Sequence, residues 1–142
     1  MVWADEDKAK NHYILDENWA KNTYEKSKST AERENRQFKF KDHMEFGKYI
    51  QKMNSEFLRE GPIIAIVLEG PHAIEIVRKM IGSTEPKQSP PGTIRGDYAM
   101  IESYQLSDSK NRVLRNLIHA SDSKETAERE IKLWFNSNEI FV

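Results

Sequence analysis

Between Gly61-Pro62 and Gly70-Pro71 the chain carries the run Ile63-Ile-Ala-Ile-Val-Leu-Glu69, and no other stretch restricts its folding as strongly. Branching at Cβ stiffens Ile63, Ile64, Ile66 and Val67 and favours extended backbone. The Gly-Pro pairs fence the run at both ends, so it predicts a short strand rather than part of a longer helix. Its apolar side chains fall on both faces, which predicts a central strand covered from both sides. Pro71 suits the first turn of a helix, predicted over His72 to Ile81. Ile74, Val77 and Ile81 share a face there, and Gly82 stops it.

A second strand is predicted at Val113 to His119 (VLRNLIH). Asp122 followed by Glu125 then has the form of a capping box, which starts a helix beside His119. Ala127, Ile131 and Trp134 form the stripe of that helix. Upstream, Phe46, Ile50, Met53 and Phe57 repeat at helical spacing and predict an amphipathic helix over His43 to Arg59. Asp5 to His12 and Asp16 to Lys28 have helix-compatible composition. Ser29 to Asp42 is strongly polar and is expected to be an exposed excursion. Ser83 to Asp97 is expected to be a loop, and Tyr98 to Arg112 carries no clear pattern. Strands and helices in one small domain suggest an α+β architecture. Two clear strands make a poor sheet, so sheet is expected to be missing or supplied from elsewhere.

The bulk composition excludes more than it selects. A chain of 142 residues fits a single domain, 1–142. Lys and Arg number 22 against 23 Asp and Glu, which gives no overall case for nucleic acid or an anionic membrane. The absence of cysteine removes disulfides and thiolate chemistry. No apolar run is long enough to span a bilayer. The N-terminus lacks the basic start and apolar stretch of a secretory signal, so a cytoplasmic setting is expected.

Three groups of residues stand out for chemistry. In Asn116-Leu-Ile-His119-Ala-Ser121-Asp122-Ser123, a histidine sits at a predicted strand end, just before a helix N-terminus. Helix N-termini favour anions, and a histidine with one ring nitrogen held can act as a nucleophile through the other. Glu130 follows the apolar stripe and has the spacing to hold such a ring; an ordinary ion pair on the helix surface is the commoner fate of a glutamate there. In Pro91-Gly-Thr-Ile-Arg95-Gly-Asp97, glycines on both sides allow a tight loop that presents the Arg95 guanidinium to a phosphate. An ordinary surface turn fits the same residues. The tripeptide Arg95-Gly96-Asp97 also has the form of an adhesion motif, but nothing else marks the chain as extracellular. Arg78, near a helix end, and Thr84, in the next loop, carry no functional claim by themselves. The mixed-charge run Lys26 to Lys41 is a solvated stretch with too few aromatics for a nucleic-acid platform.

Taken in order, GP-IIAIVLEG, VRKMIGSTEP, PPGTIRGDY and NLIHASDSKETAEREIKLWF resemble the nucleoside diphosphate kinases over roughly residues 61–135. The resemblance implies a ferredoxin-like antiparallel sheet with helices packed on it. It implies that His119 accepts a phosphate, that Glu130 orients it and that Ser121 supports Glu130. Arg78, Thr84 and Arg95 would hold nucleotide phosphates and Asn116 would contact the sugar. His12-Tyr13 is similar to the family's His-Tyr pair, which makes Tyr13 a candidate nucleotide contact. The implied reaction is a ping-pong transfer from ATP to nucleoside diphosphates, with Mg²⁺ held through the phosphates rather than by protein ligands. The implied assembly is a homo-oligomer, a hexamer or a tetramer.

The chain departs from the family pattern in three places. The opening strand with its Lys-Pro-Asp motif, the helix and most of the second strand have no counterpart, so an N-terminally truncated fold is expected, with Met1-Val2-Trp3 as a strand remnant. Residues 13–57 form an expanded helical and polar region, and 98–114 an insertion; both resemble archaeal members. A non-catalytic subunit or interaction module that needs a partner is therefore the alternative to an active kinase. A ferredoxin-like nucleotide sensor ranks below both.

Overall fold

The computed structural model describes residues 1–141, and these group into two compact units, Met1–Ile63 and the residues from Ile64 onward. In the first unit, three aspartates start three helices. Asp5 caps α1 (Glu6–His12) by accepting from the Lys8 N–H at 2.7 Å. Asp16 caps α2 (Glu17–Arg33) through the Trp19 N–H at 2.9 Å, and Asp42 caps α3 (His43–Leu58) through the Glu45 N–H at 2.8 Å. In each case the carboxylate satisfies a backbone donor that the helix cannot use, and its charge suits the positive end of the helix dipole.

Helix α3 packs on both α1 and α2. Its Gly47 leaves no room for a side chain: a Cβ there would stand 2.8 Å from Leu15 Cδ1 and 2.9 Å from the Cβ of the fully buried Ala20 in α2. Gly47→Val is expected to cost about 1–3 kcal/mol through overpacking. Urea unfolding would read this as a lower midpoint with an unchanged slope. An unchanged midpoint would mean that the helices do not meet this closely.

The polar stretch expected to lie exposed over Ser29 to Asp42 is instead divided between two roles. Its first residues complete α2. Phe38 and Phe40 then turn inward: the Phe38 ring sits 5.2 Å from Tyr24 and from Phe46, and the Phe40 ring 4.8 Å from Phe46. Two large aromatic faces outweigh the polarity of the residues around them.

The second unit carries α4 (Ala73–Ile81), α5 (Ile94–Tyr98), α6 (Tyr104–Ser109) and α7 (Lys124–Trp134), with short 3₁₀ turns at Pro86–Gln88 and Ser137–Glu139. The ferredoxin-like antiparallel sheet is not formed. Among the described residues the β pairing is confined to one isolated antiparallel bridge, Val2 with Ile63, and the named elements are helices. The physical reason differs for the two expected strands. Ile63 to Glu69 alternates as a strand should, but Ile64, Ile66 and Leu68 are 75%, 69% and 62% exposed. One face is open rather than covered, and among the described residues its β pairing stops at the Val2–Ile63 bridge. Val113 to His119 cannot continue as a strand because Leu117 takes φ 68°, in the left-handed region that a leucine rarely adopts. Its polar backbone groups are met by side chains, as described below.

Helix α7 begins one residue later than the predicted box. Ser123 is the cap, accepting from the Thr126 N–H at 3.1 Å. No described helix is long and apolar enough to cross a membrane.

Candidate functional site

Helix α7 buries Glu130 and Trp134 on one face. A buried carboxylate must find donors, since an unpaired charge away from water is costly. Glu130 finds them just outside the helix start. His119 Nε2 lies 3.1 Å from both of its carboxylate oxygens. Ser121 Oγ donates to Oε2 at 2.6 Å, and Arg129 Nη2 makes a longer 3.4 Å contact with Oε1. The Glu130 side chain is 10% exposed and the His119 side chain 48% exposed. The ring therefore stands with Nε2 on a fixed carboxylate and with about half of the side chain exposed. When Nε2 donates to Glu130 it carries the proton, so in the neutral ring Nδ1 holds the lone pair.

The backbone leading to His119 is tied from the neighbouring loops. Thr93 caps α5 by accepting from the Gly96 N–H at 3.1 Å. A Cβ at Gly96 would fall 2.2 Å from the Pro90 carbonyl oxygen, so only glycine fits there. This tight turn drives Arg95 inward until it is 6% exposed. Its Nη1 donates to the carbonyls of Gly82 (3.2 Å) and Ser83 (3.1 Å), its Nε to Asn116 (3.2 Å), and its Nη2 to Ile118 (2.5 Å). Burial first, and the Arg78 guanidinium second, lower the Arg95 pKa from its ordinary value. The group stays charged. The Arg-Gly-Asp tripeptide is thus no displayed adhesion loop: its arginine is buried, and Asp97 accepts from the Gly92 N–H at 2.8 Å.

The remaining candidates gather round the same segment. Arg78, exposed in the last turn of α4, places Nη1 3.5 Å from the Ala120 carbonyl, next to His119. The Asn116 side-chain amide donates to the Thr84 carbonyl at 3.2 Å, which brings the exposed Thr84 beside it. Seven of the expected site residues (Arg78, Thr84, Arg95, Asn116, His119, Ser121 and Glu130) belong to the second unit and are linked by these contacts. Tyr13 belongs to the first. There it ends α1, accepts from Gln51 Nε2 at 2.7 Å through its carbonyl, and meets the His12 ring edge-on.

Two glutamates that the sequence did not single out brace this region. Glu102 is buried and binds Arg112 through both oxygens, at 2.7 and 2.9 Å, while accepting from the Arg115 N–H at 3.2 Å. Glu85, also buried, accepts from the Tyr104 N–H at 2.9 Å and from the Gln88 side chain. Burial, and then the Glu85 charge, raise the Tyr104 pKa. No periodic pattern marks either glutamate, and only their hydrogen-bonded burial reveals them.

The Arg112 hydrogen bonds hold the Glu102 carboxyl below its ordinary range, against the opposing pull of burial. A group with a lowered folded pKa stabilises above its unfolded value, and that stabilisation is lost as pH falls through the folded one. Stability is therefore expected to fall below about pH 4.3. In Glu102→Gln this part of the acid dependence should vanish, along with roughly 3 kcal/mol at neutral pH from the stranded Arg112. Urea midpoints measured from pH 3 to 7 for both proteins would check this; parallel curves would refute it.

A loop-borne histidine fixed by a buried carboxylate, beside two arginines, is the arrangement to compare with known proteins. The family model described as nucleoside diphosphate kinase matches residues 25–140. The chain belongs to the nucleoside diphosphate kinase family. Among its relatives, the nucleoside diphosphate kinase of Pyrococcus horikoshii is 44% identical over 99% of this chain and 66% of its own length. That of Pyrobaculum aerophilum is 48% identical over 70% of this chain and 54% of its own length. The chain thus spans about half to two thirds of these relatives. The crystal structure of an NDP kinase from Pyrobaculum aerophilum superposes with a TM-score of 0.92 at 36% identity, over 99% of this chain and 79% of that one. A nucleoside-diphosphate kinase from Borrelia burgdorferi, solved as a transition-state mimic with vanadate and ADP, gives 0.73 at 33% identity, over 99% and 69%. The family match extends upstream of Gly61, where the sequence motifs began, into α2 and α3.

Proposed function

We propose that this chain carries the catalytic centre of a nucleoside diphosphate kinase and transfers the γ-phosphate of ATP to nucleoside diphosphates through His119. One observation carries this reading. His119 Nε2 lies 3.1 Å from both oxygens of a buried Glu130 that Ser121 braces at 2.6 Å. That is an oriented nucleophile and not a surface ion pair, and it favours catalysis over a non-catalytic remnant.

In the proposed reaction, Nδ1 attacks the γ-phosphorus in line. The N–P bond forms as the bond to the β,γ-bridging oxygen breaks, and that oxygen leaves with ADP. The proton stays on Nε2, so the phosphorylated ring gains positive charge, and Glu130 is already placed to stabilise it. In the second half-reaction a terminal oxygen of a nucleoside diphosphate attacks the same phosphorus and Nδ1 leaves. Arg78, Thr84 and Arg95 hold the phosphates, and Asn116 contacts the sugar. Tyr13 is proposed as a further nucleotide contact. Most of the rate acceleration then comes from positioning and charge.

Glu130 spends its oxygens on His119, Ser121 and Arg129, and the other groups gathered here are cationic or neutral donors. Such a set fits phosphate rather than a bare metal ion. The divalent cation, proposed as Mg²⁺, would therefore be carried by the nucleotide phosphates and would offset their charge, while Arg78 and Thr84 hold those phosphates. A homo-oligomer, hexameric or tetrameric, and a cytoplasmic setting complete the proposal.

The deciding experiment incubates the folded chain with γ-labelled ATP and then adds GDP. Acid-labile label that passes to GDP supports the reading. No label on a chain shown to be folded would overturn it.

A further inference from the structure

Asn116 and Thr84 are 32 positions apart in the chain, and the Asn116 amide joins them by donating to the Thr84 carbonyl at 3.2 Å. The residue beside each is fastened to the same loop. Next to Asn116, the Arg115 N–H donates to Glu102 Oε1 at 3.2 Å. Next to Thr84, Glu85 accepts from the Tyr104 N–H, at the start of α6, at 2.9 Å. The loop that carries α6 is closed by Arg112, whose Nη1 and Nη2 reach the two oxygens of Glu102 at 2.7 and 2.9 Å. Within it the Arg112 N–H donates to the Ser107 carbonyl at 3.1 Å. A carboxylate gripped on both oxygens by a planar fork loses its rotational freedom. Glu102 is also 7% exposed, so water competes little for it. The oxygen that meets the Arg115 N–H is therefore fixed in place.

We propose that Glu102 is a positioning residue for nucleotide binding: clamped by Arg112, it fixes the Arg115 peptide and with it the Asn116 side chain that meets the sugar. This rests on the reading of Asn116 as a nucleotide contact. It gives the 98–114 insertion a task, since that stretch supplies both members of the clamp. The His119 ring is held separately, through Glu130 and Ser121. Loosening the clamp therefore acts on nucleotide affinity and not on the transfer step itself. An ion pair that only stabilised the fold would have no particular tie to Asn116.

A double-mutant cycle on ADP affinity separates the two roles, because a residue that acts through Asn116 has nothing to act on once that side chain is gone. Binding is measured by calorimetry at neutral pH on full chains that circular dichroism shows to be folded. Glu102→Gln is expected to weaken ADP roughly tenfold by itself and less than about twofold in an Asn116→Ala background. Single-turnover labelling at saturating ATP should stay within about threefold of wild type. Equal losses of affinity in both backgrounds would overturn the proposal. So would an affinity that Glu102→Gln leaves unchanged, or a labelling rate that falls as far as the affinity. Glu102→Gln strands Arg112, so Arg112→Lys runs the same cycle if that variant does not fold. A lysine keeps the charge but cannot hold both oxygens, and the same pattern of losses is expected. The cycle needs binding only. Label on the wild-type chain together with equal losses would sink this proposal and leave the kinase reading standing. ADP bound by a wild-type chain that takes no label would sink the kinase reading, and the cycle would still decide this one.

Discussion

His119→Ala is expected to abolish acid-labile phosphate on the chain and to lower transfer from ATP to GDP by roughly 10⁴-fold or more, because no other group takes over a nucleophile's role. The protein should remain folded. The His119 side chain is half exposed, so little apolar burial is lost. Glu130 does lose one donor, but Ser121 and Arg129 remain beside it. The expected stability cost is therefore about 1 kcal/mol. Thermal unfolding by circular dichroism, alongside the labelling, separates loss of chemistry from loss of fold. Label that persists in the alanine variant would place the phosphate on another residue.

Glu130→Gln should produce the second-largest loss. The amide has nearly the shape of the carboxylate and can still accept from the ring or from Ser121. It has no charge with which to answer the positive ring that forms as the phosphate arrives. Transfer is expected to slow roughly a hundredfold, a cost comparable to removing one preorganised electrostatic contact in other active sites. Nucleotide affinity should change little, since no phosphate contact is proposed for Glu130. Ser121→Ala, which loses only the 2.6 Å brace on one oxygen, should fall between this variant and wild type. Turnover of Glu130→Gln within twofold of wild type would mean that the carboxylate serves only to fold α7. Single-turnover labelling by rapid quench gives these rates directly.

The helices and their caps were the legible part of the fold. Phe46, Ile50, Met53 and Phe57 marked α3 because a buried helical face must repeat with the helical period. The expected span, His43 to Arg59, differs from His43–Leu58 only at its C-terminal end. The box at the start of α7 shifted by one residue because Ser123 and Asp122 are both competent caps, and only the geometry chooses between them. The sheet was the illegible part. Ile63 to Glu69 has the composition of a buried central strand, but pairing is a property of two strands, and among the described residues it goes no further than the Val2–Ile63 bridge. Helix α6 left no trace in the polar pattern of Tyr98 to Arg112, since its buried members include Ser107 and its first N–H is met by the distant Glu85.

For the site, motif order alone determined which residues are the candidates: a histidine before a helix, a carboxylate seven residues into that helix, and an arginine between two glycines. Those features lie along the chain, and a linear reading can find them. The tertiary structure decided how they are used. Sequence spacing left Glu130 free to pair with a surface lysine; burial, with His119 Nε2 and Ser121 Oγ both on its oxygens, removed that freedom. The motif offered Arg95 to a phosphate; folding, through a turn too tight for any Cβ at Gly96, also set its guanidinium against four carbonyls. Those carbonyls come from loops far apart in sequence. A hydrogen-bond partner brought together by folding leaves no periodic mark, because its position is set by the path of the whole chain and not by its neighbours.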